Sequence, residues 1–263
     1  MPELETVRDT ASGVASRAAP RSRTARERVR EEMTAEILAV ARQHLAREGA
    51  AALSLRSVAR DLGMAPSALY RYFEGRDALL SALIIEAFES LATEAERAAE
   101  GAAVGGPGRA SGKVGDADRW LAVPRALRAW ALAHPHEWGL VFGTPVPGYE
   151  APQATVAPYV RVAAAMARPV VEAFESGRLG PAGAQGGGQP GAEAVLRQAL
   201  APVAEGLFPG VPTPNVVAAV GAWSTIVGTV SLEVFGHWRN TVLDPEAFFD
   251  ATMRGVAHSV GLG

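Results

Sequence analysis

Ser54-Leu55-Arg56-Ser57-Val58-Ala59-Arg60-Asp61-Leu62-Gly63-Met64-Ala65-Pro66-Ser67-Ala68-Leu69-Tyr70-Arg71-Tyr72-Phe73 reads as two short helices joined by a tight turn. Leu55, Val58, Ala59 and Leu62 recur at helical spacing and give the first helix one apolar face. Ser54 stands where a hydroxyl can accept from the free N–H groups of the first turn. Gly63 supplies the left-handed geometry that ends a helix and reverses the chain. Pro66 suits the first turn of the second helix, where a missing N–H costs nothing. Ala65, before it, is a poor cap. In the second helix Ala68, Leu69 and Tyr72 or Phe73 can face inward, leaving Ser67, Arg71 and one edge of Tyr70 outward. A short helix, a glycine turn and a second helix bearing hydroxyls and arginine make a helix-turn-helix pattern.

Working outward, residues 27–48 predict a longer helix before the motif. Its stripe is Met33, Ile37, Leu38, Ala41 and Leu45, and Gly49 ends it. After the motif, Asp77 is placed to cap a helix running to about residue 100, with Leu80, Leu83, Ile84, Ala87, Phe88 and Leu91 on one face. Residues 1–26 are poor in apolar side chains and read as a disordered basic tail. Arg17, Arg21, Arg23, Arg26, Arg28 and Arg30 face only Glu27 there. That run is either a solvated tail or an arm adding phosphate or minor-groove contacts.

The run Val58-Ala59-Arg60-Asp61-Leu62-Gly63, then Ser67-Ala68-Leu69-Tyr70-Arg71-Tyr72-Phe73, then Arg76-Asp77-Ala78-Leu79-Leu80 resembles the DNA-binding domain of TetR-family transcriptional repressors. The resemblance covers roughly residues 27–85. It implies that Ser67, Ala68 and Arg71 lie near base edges, that Ser54, Tyr70, Tyr72 and Arg76 contact phosphates, and that Arg56 does either. A helix fits the major groove, where arginine donates to guanine and small or hydroxyl side chains meet thymine methyls or polar edges. Ala65 and Pro66 stand where the family often has Ser and Lys, so no operator sequence carries over. Two copies on a palindromic operator are expected, with half-sites roughly 34 Å apart.

Composition agrees with a local rather than a general basic surface. The 263 residues carry a net charge of −3, split as +2 over residues 1–79 and −5 over the rest. A chain that coats nucleic acid everywhere is thereby excluded, whereas a local DNA-binding face is not. There is no cysteine, so disulfides and thiolate metal sites are ruled out. The N-terminus has acidic and basic residues and no apolar run, which reads as a cytoplasmic protein.

No strand-like alternation occurs, and the expected fold class is all-α: the helix-turn-helix domain over 27–85, then a helical regulatory and dimerisation domain over 86–263. Residues 101–115 and the glycine-rich 180–191 read as breaks. Helices are predicted over 116–133, with Pro124 forcing a later start or a kink; over 155–179; over 192–207, kinked at Pro202; over 213–238; and after Asp244. Between Val216 and Gly236 only Glu233 is charged. That length permits a membrane span, but Gly221, Ser224, Thr225, Gly228, Thr229 and Ser231 dilute it and no basic flank follows, so no membrane is expected. A helix apolar all round is otherwise buried on several sides. Glu233 is expected to pair with an Arg or His across a dimer, or else to face a cavity.

The stretch His134-Pro135-His136-Glu137-Trp138, with Phe235-Gly236-His237-Trp238 later, is similar to the regulatory domain of one TetR subgroup. That likeness implies a homodimer built on the last two helices, with Trp223, Val227, Gly228, Ser231, Phe249 and Met253 at the interface. It also implies a small-molecule effector, apolar or aromatic, with Trp130, Trp138, Phe142, Tyr149, Met166, Phe174 and Trp223 as candidate pocket residues. Catalysis is not expected. The chain has no H-E-x-x-H, no phosphate-binding glycine loop and no G-x-S-x-G. His134 and His136, flanking Pro135, read as structural, and no metal or cofactor is implied. The alternatives are a constitutive regulator without an inducer and a helical enzyme whose N-terminal motif only aids packing.

Overall fold

A computed structural model describes residues 24–104, 115–183 and 192–263. Within them the regular elements are all helical: α1 (Ala25–Glu48), α2 (Leu55–Asp61), α3 (Pro66–Leu69), α4 (Arg76–Val104), α5 (Asp116–Ala133), α6 (Pro135–Phe142), α7 (Val156–Glu175), α8 (Ala192–Ala199), α9 (Ala201–Leu207), α10 (Thr213–Val234) and α11 (Pro245–Val260). The all-α expectation is met. The chain divides into two compact units, residues 1–36 and 37–263. The division falls inside α1, and the expected boundary at residue 85 falls inside α4.

In the first unit the described part is the start of α1, whose basic side chains Arg26, Arg28 and Arg30 are exposed. Thr24 and Glu27 form a reciprocal cap: Glu27 N donates to Thr24 Oγ1 at 3.2 Å, and Thr24 N donates to Glu27 Oε2 at 2.7 Å. The helix therefore starts two residues before the expected position. Arg17, Arg21 and Arg23 of the tail lie outside the described residues.

The second unit is built around α4. Leu79, Leu80, Leu83, Ile84, Ala87, Phe88, Leu91, Ala92 and Ala95 are all buried, at the three- and four-residue steps of an inward stripe. α5 and α7 pack along α4, and α10 and α11 pack on each other and on α5. α5 starts ahead of Pro124 and runs through it. The proline is buried at the position where its missing N–H leaves the Trp120 carbonyl without its helical donor. The predicted helix over 192–207 is instead two helices parted at Leu200. Pro202 sits in the first turn of α9, where its ring is tolerated, so it marks a start and not a kink. Asp244 caps α11 through Oδ1, which accepts from Ala247 N at 2.9 Å.

α10 is long and apolar enough to cross a membrane, yet Val216, Ala218, Ala222, Ile226 and Val230 are buried against the rest of the chain. It ends at Val234, four residues short of the expected limit, and Gly236 at φ 76° turns the chain. Glu233 pairs within its own chain. Arg128 on α5 donates to it twice, Nε to Oε2 and Nη2 to Oε1, both at 2.7 Å. This replaces the expected cross-dimer partner, because α5 lies directly beside α10. The hydrogen bond to Glu233 raises the Arg128 guanidinium above its usual pKa, ahead of the opposing effect of burial.

The two side chains are only 17% and 11% exposed, so removing one leaves the other charge largely buried. Glu233→Ala is expected to lower unfolding stability by roughly 3 kcal/mol, whereas Arg128→Met with Glu233→Leu stays near wild type. Urea melts of the two variants against wild type check this.

Candidate functional site

The helix-turn-helix forms as its spacing requires. Leu55, Val58, Ala59, Leu69 and Phe73 are buried, and Gly63 adopts φ 65° between the two helices. Ser54 is extended at φ −140° but makes no side-chain cap. α3 is a single turn, Pro66–Leu69, continued by turn residues to Tyr72. On its outer side Ser67 and Arg71 are exposed, Ala68 is half-buried and Tyr70 is 51% exposed. Tyr72 is half-buried.

The arginines of this region divide by what they touch. Arg47 and Arg60 lie 3.4 and 3.5 Å from Asp61, which also takes a 2.8 Å bond with His44 Nε2. That bond to the buried His44 holds the Asp61 carboxyl below its usual range. Arg56 and Arg71 are exposed and have no ion-pair or hydrogen-bond partner among the described residues. Arg76 is engaged with backbone. Its Nε donates to Leu53 O at 3.2 Å, and its Nη2 to Ala50 O at 3.1 Å and Ala51 O at 3.2 Å. These carbonyls belong to the 3-10 turn between α1 and α2 and its exit, so Arg76 clips that turn to the start of α4.

The residues expected to form one pocket are spread over several places. Trp130 is buried beside a polar recess, its Nε1 donating to Ser90 Oγ at 2.9 Å. Trp138 is buried with Nε1 on Ser231 Oγ at 3.0 Å, and the Tyr149 hydroxyl meets Ser81 Oγ at 3.0 Å. Phe174 packs against Gly210. Only Met166 and Trp223 of these line the apolar cavity of about 360 Å³ bordered by α5, α7, α9 and α10. Trp120, Tyr159, Val203, Leu207 and Phe208 complete its main walls. The volume is at the lower end for small-molecule sites. No sequence signal set Tyr159 apart from its neighbours on α7. A larger, more open groove is lined by Leu45, Glu48, His136, Leu140, Pro145 and Phe235 among others.

Phe142 lies between the cavity and α4. Its ring is 5.9 Å from Trp223 and 5.8 Å from Phe88, and Tyr159 is 5.6 Å from Phe88. The residues expected at a dimer interface also separate. Gly228 is exposed and Val227 half-buried, but Ser231 is engaged with Trp138, Trp223 lines the cavity, and Phe249 and Met253 are 1% and 0% exposed within their own chain. Phe248 is 45% exposed beside Trp238.

An N-terminal helix-turn-helix with free arginines, joined by one long helix to an all-helical body with an internal cavity, defines a DNA-binding transcriptional regulator. The chain matches the model for bacterial regulatory proteins of the tetR family over residues 37–83, and that for tetracyclin repressor-like C-terminal domains over residues 120–256. It belongs to the TetR family of transcriptional regulators, which are not enzymes. The HTH-type transcriptional regulator Rv1816 of Mycobacterium tuberculosis is 36% identical over 239 residues, covering 87% of this chain and 92% of that protein. The crystal structure of SCO4313 superposes with a TM-score of 0.69 at 32% identity, covering 89% of this chain and 100% of that one. A Rhodococcus protein of unknown function shares the fold at a TM-score of 0.61 and 23% identity, over 87% and 95% of the two chains.

Arg76→Ala removes a charged donor from three carbonyls and is expected to lower stability by about 2 kcal/mol. Arg71→Ala, which breaks no such contact, should melt with wild type. Thermal unfolding by circular dichroism separates the two.

Proposed function

We propose that the protein is a cytoplasmic repressor that binds a palindromic operator as a homodimer and leaves it when a small apolar or aromatic effector fills the cavity. The aromatic contact chain carries this reading. Tyr159 and Trp223 line the cavity, and Tyr159 and Phe142 both touch Phe88 on α4. α4 in turn begins at Arg76, bonded to the turn that precedes α2. Packed interiors do not deform continuously, so a guest that moves either cavity ring shifts α4 and the reading helix with it. An effector that prefers the conformer with misspaced reading helices depopulates the DNA-bound one.

On DNA, Ser67, Ala68 and Arg71 face base edges. Ser54, Tyr70 and Tyr72 meet phosphates, and Arg56 serves either. Arg76 acts indirectly, by holding the turn. The homodimer forms on the outward side of α10 and α11. Gly221, Ser224 and Gly228 there allow close helix approach, and the exposed Leu232 and Phe248 supply apolar area. Phe249 and Met253 support that surface from beneath.

Footprinting over the DNA upstream of the protein's own gene is expected to give two protected half-sites about one helical turn apart. Arg71→Ala should weaken that binding by about 1–3 kcal/mol. Gly228→Arg should yield a monomer by light scattering and lose the paired protection. A Gly228→Arg protein that remains dimeric on an unchanged footprint refutes the α10 interface, and wild-type binding by Arg71→Ala refutes the base-contact role.

A further inference from the structure

We infer that the cavity takes an uncharged ligand with an apolar body and at least one hydrogen-bond-accepting oxygen, of ketone or ester type, held by Trp120, Tyr159 and Trp223. The inference rests on the cavity being the effector site proposed above. A ligand that displaces the water on an indole N–H or phenol O–H loses affinity unless it supplies an acceptor in its place, and folded chains pair such groups where water is excluded. This chain does so elsewhere in its aromatic core. Trp130 has Ser90, Trp138 has Ser231 and Tyr149 has Ser81. Trp120 Nε1, Tyr159 Oη and Trp223 Nε1 have no partner among the described residues, and all three side chains line the one cavity. Tyr159 and Trp223 are half-buried and Trp120 is 1% exposed, and none of the three donors is sealed off: water reaches them from the cavity, where a ligand would take its place.

Charge narrows the class further. No Asp, Glu, Lys, Arg or His lines the cavity. An ionised ligand would lose part of its hydration there with no counter-charge to replace it. The polar inventory is two indoles that only donate and one phenol that donates and accepts. A ligand acceptor is therefore satisfied several ways, whereas a ligand donor has little beyond Tyr159. The aliphatic walls, among them Val170, Val203, Leu207 and Val220, take the remainder of the molecule.

Three probes of similar size test this on the full-length protein: valerophenone, pentylbenzene and 5-phenylpentanoate at pH 7. Calorimetry measures their binding to wild type, to Tyr159→Phe, which removes only a hydroxyl, and to Trp120→Phe. Valerophenone is expected to bind, and each substitution to weaken it about three- to tenfold, while pentylbenzene changes less than about twofold. The carboxylate should bind wild type at least about tenfold more weakly than the ketone. If ketone and hydrocarbon respond alike to Tyr159→Phe, or if the carboxylate binds more tightly, the inference is overturned while the cavity remains a ligand site. If neither neutral probe binds wild type, the cavity reading and the ligand class fail together.

Discussion

The first residue of α4 donates to three backbone carbonyls of the turn between α1 and α2, and this clip joins the DNA-reading motif to the body of the protein. The chain leaves α1 through Gly49 at φ 78° and makes one 3-10 turn before α2. A turn so short leaves carbonyls pointing outward with little regular structure to bond them. A guanidinium meets that need because its donors form a rigid planar fork, and a lysine ammonium would not span the same set. Arg42 on α1 pairs with Glu86, ten residues further along α4, and fixes the helix a second time. From residue 76 to residue 104 the helix is unbroken, so Arg76 and Phe88 lie on one continuous element.

The far end of the body is organised by charge placed inside it. α5 presents Arg125 and Arg128 toward α11 and α10. Arg125 bonds Asp250 through Nε at 2.8 Å and again through Nη2, while Arg128 forks onto Glu233. The hydrogen bond from Arg125 holds the Asp250 carboxyl below its ordinary value. Of the two pairs, only Arg128–Glu233 is largely removed from water, and a pair so placed contributes register more than net stability, since apolar replacements of equal volume do as well. They fix which side of α10 faces inward. The other side is left with Gly221, Ser224, Gly228 and Leu232, uncharged and open.

Helix positions and the reading motif were legible because both follow from local rules. Gly63, Pro66 and the Leu55–Val58–Ala59 spacing determine the turn and its buried face before any distant contact is known. What the sequence hid depends on a second element. Glu233 is an anomalous charge in an apolar helix, but its partner sits 105 residues away on α5. Trp130, Trp138 and Trp120 are all buried aromatic residues in helices. They differ in whether a serine on a neighbouring helix meets the indole N–H, and no periodicity carries that. Arg76 shows the limit of resemblance. Its place in the motif implied a phosphate contact, and its side chain is committed to carbonyls. Pro202 misled for a different reason, since a proline two residues past a break and a proline kinking a continuous helix give the same pattern.

α7 explains why the cavity is dry-walled although the chain around it is highly charged. Its outer face carries Arg161 and Arg168, paired with Glu96 and Glu172, and Glu172 also takes Arg119. Its inner face carries Tyr159, Ala163, Met166 and Val170 into the cavity. One amphipathic helix thus separates the ion pairs from the apolar space by the width of its own backbone. The space of about 360 Å³ is open to solvent past the exposed Val160, Pro202 and Gly206. Within it the donors of Trp120, Tyr159 and Trp223 stand without a protein acceptor among the described residues, set in walls that are otherwise apolar.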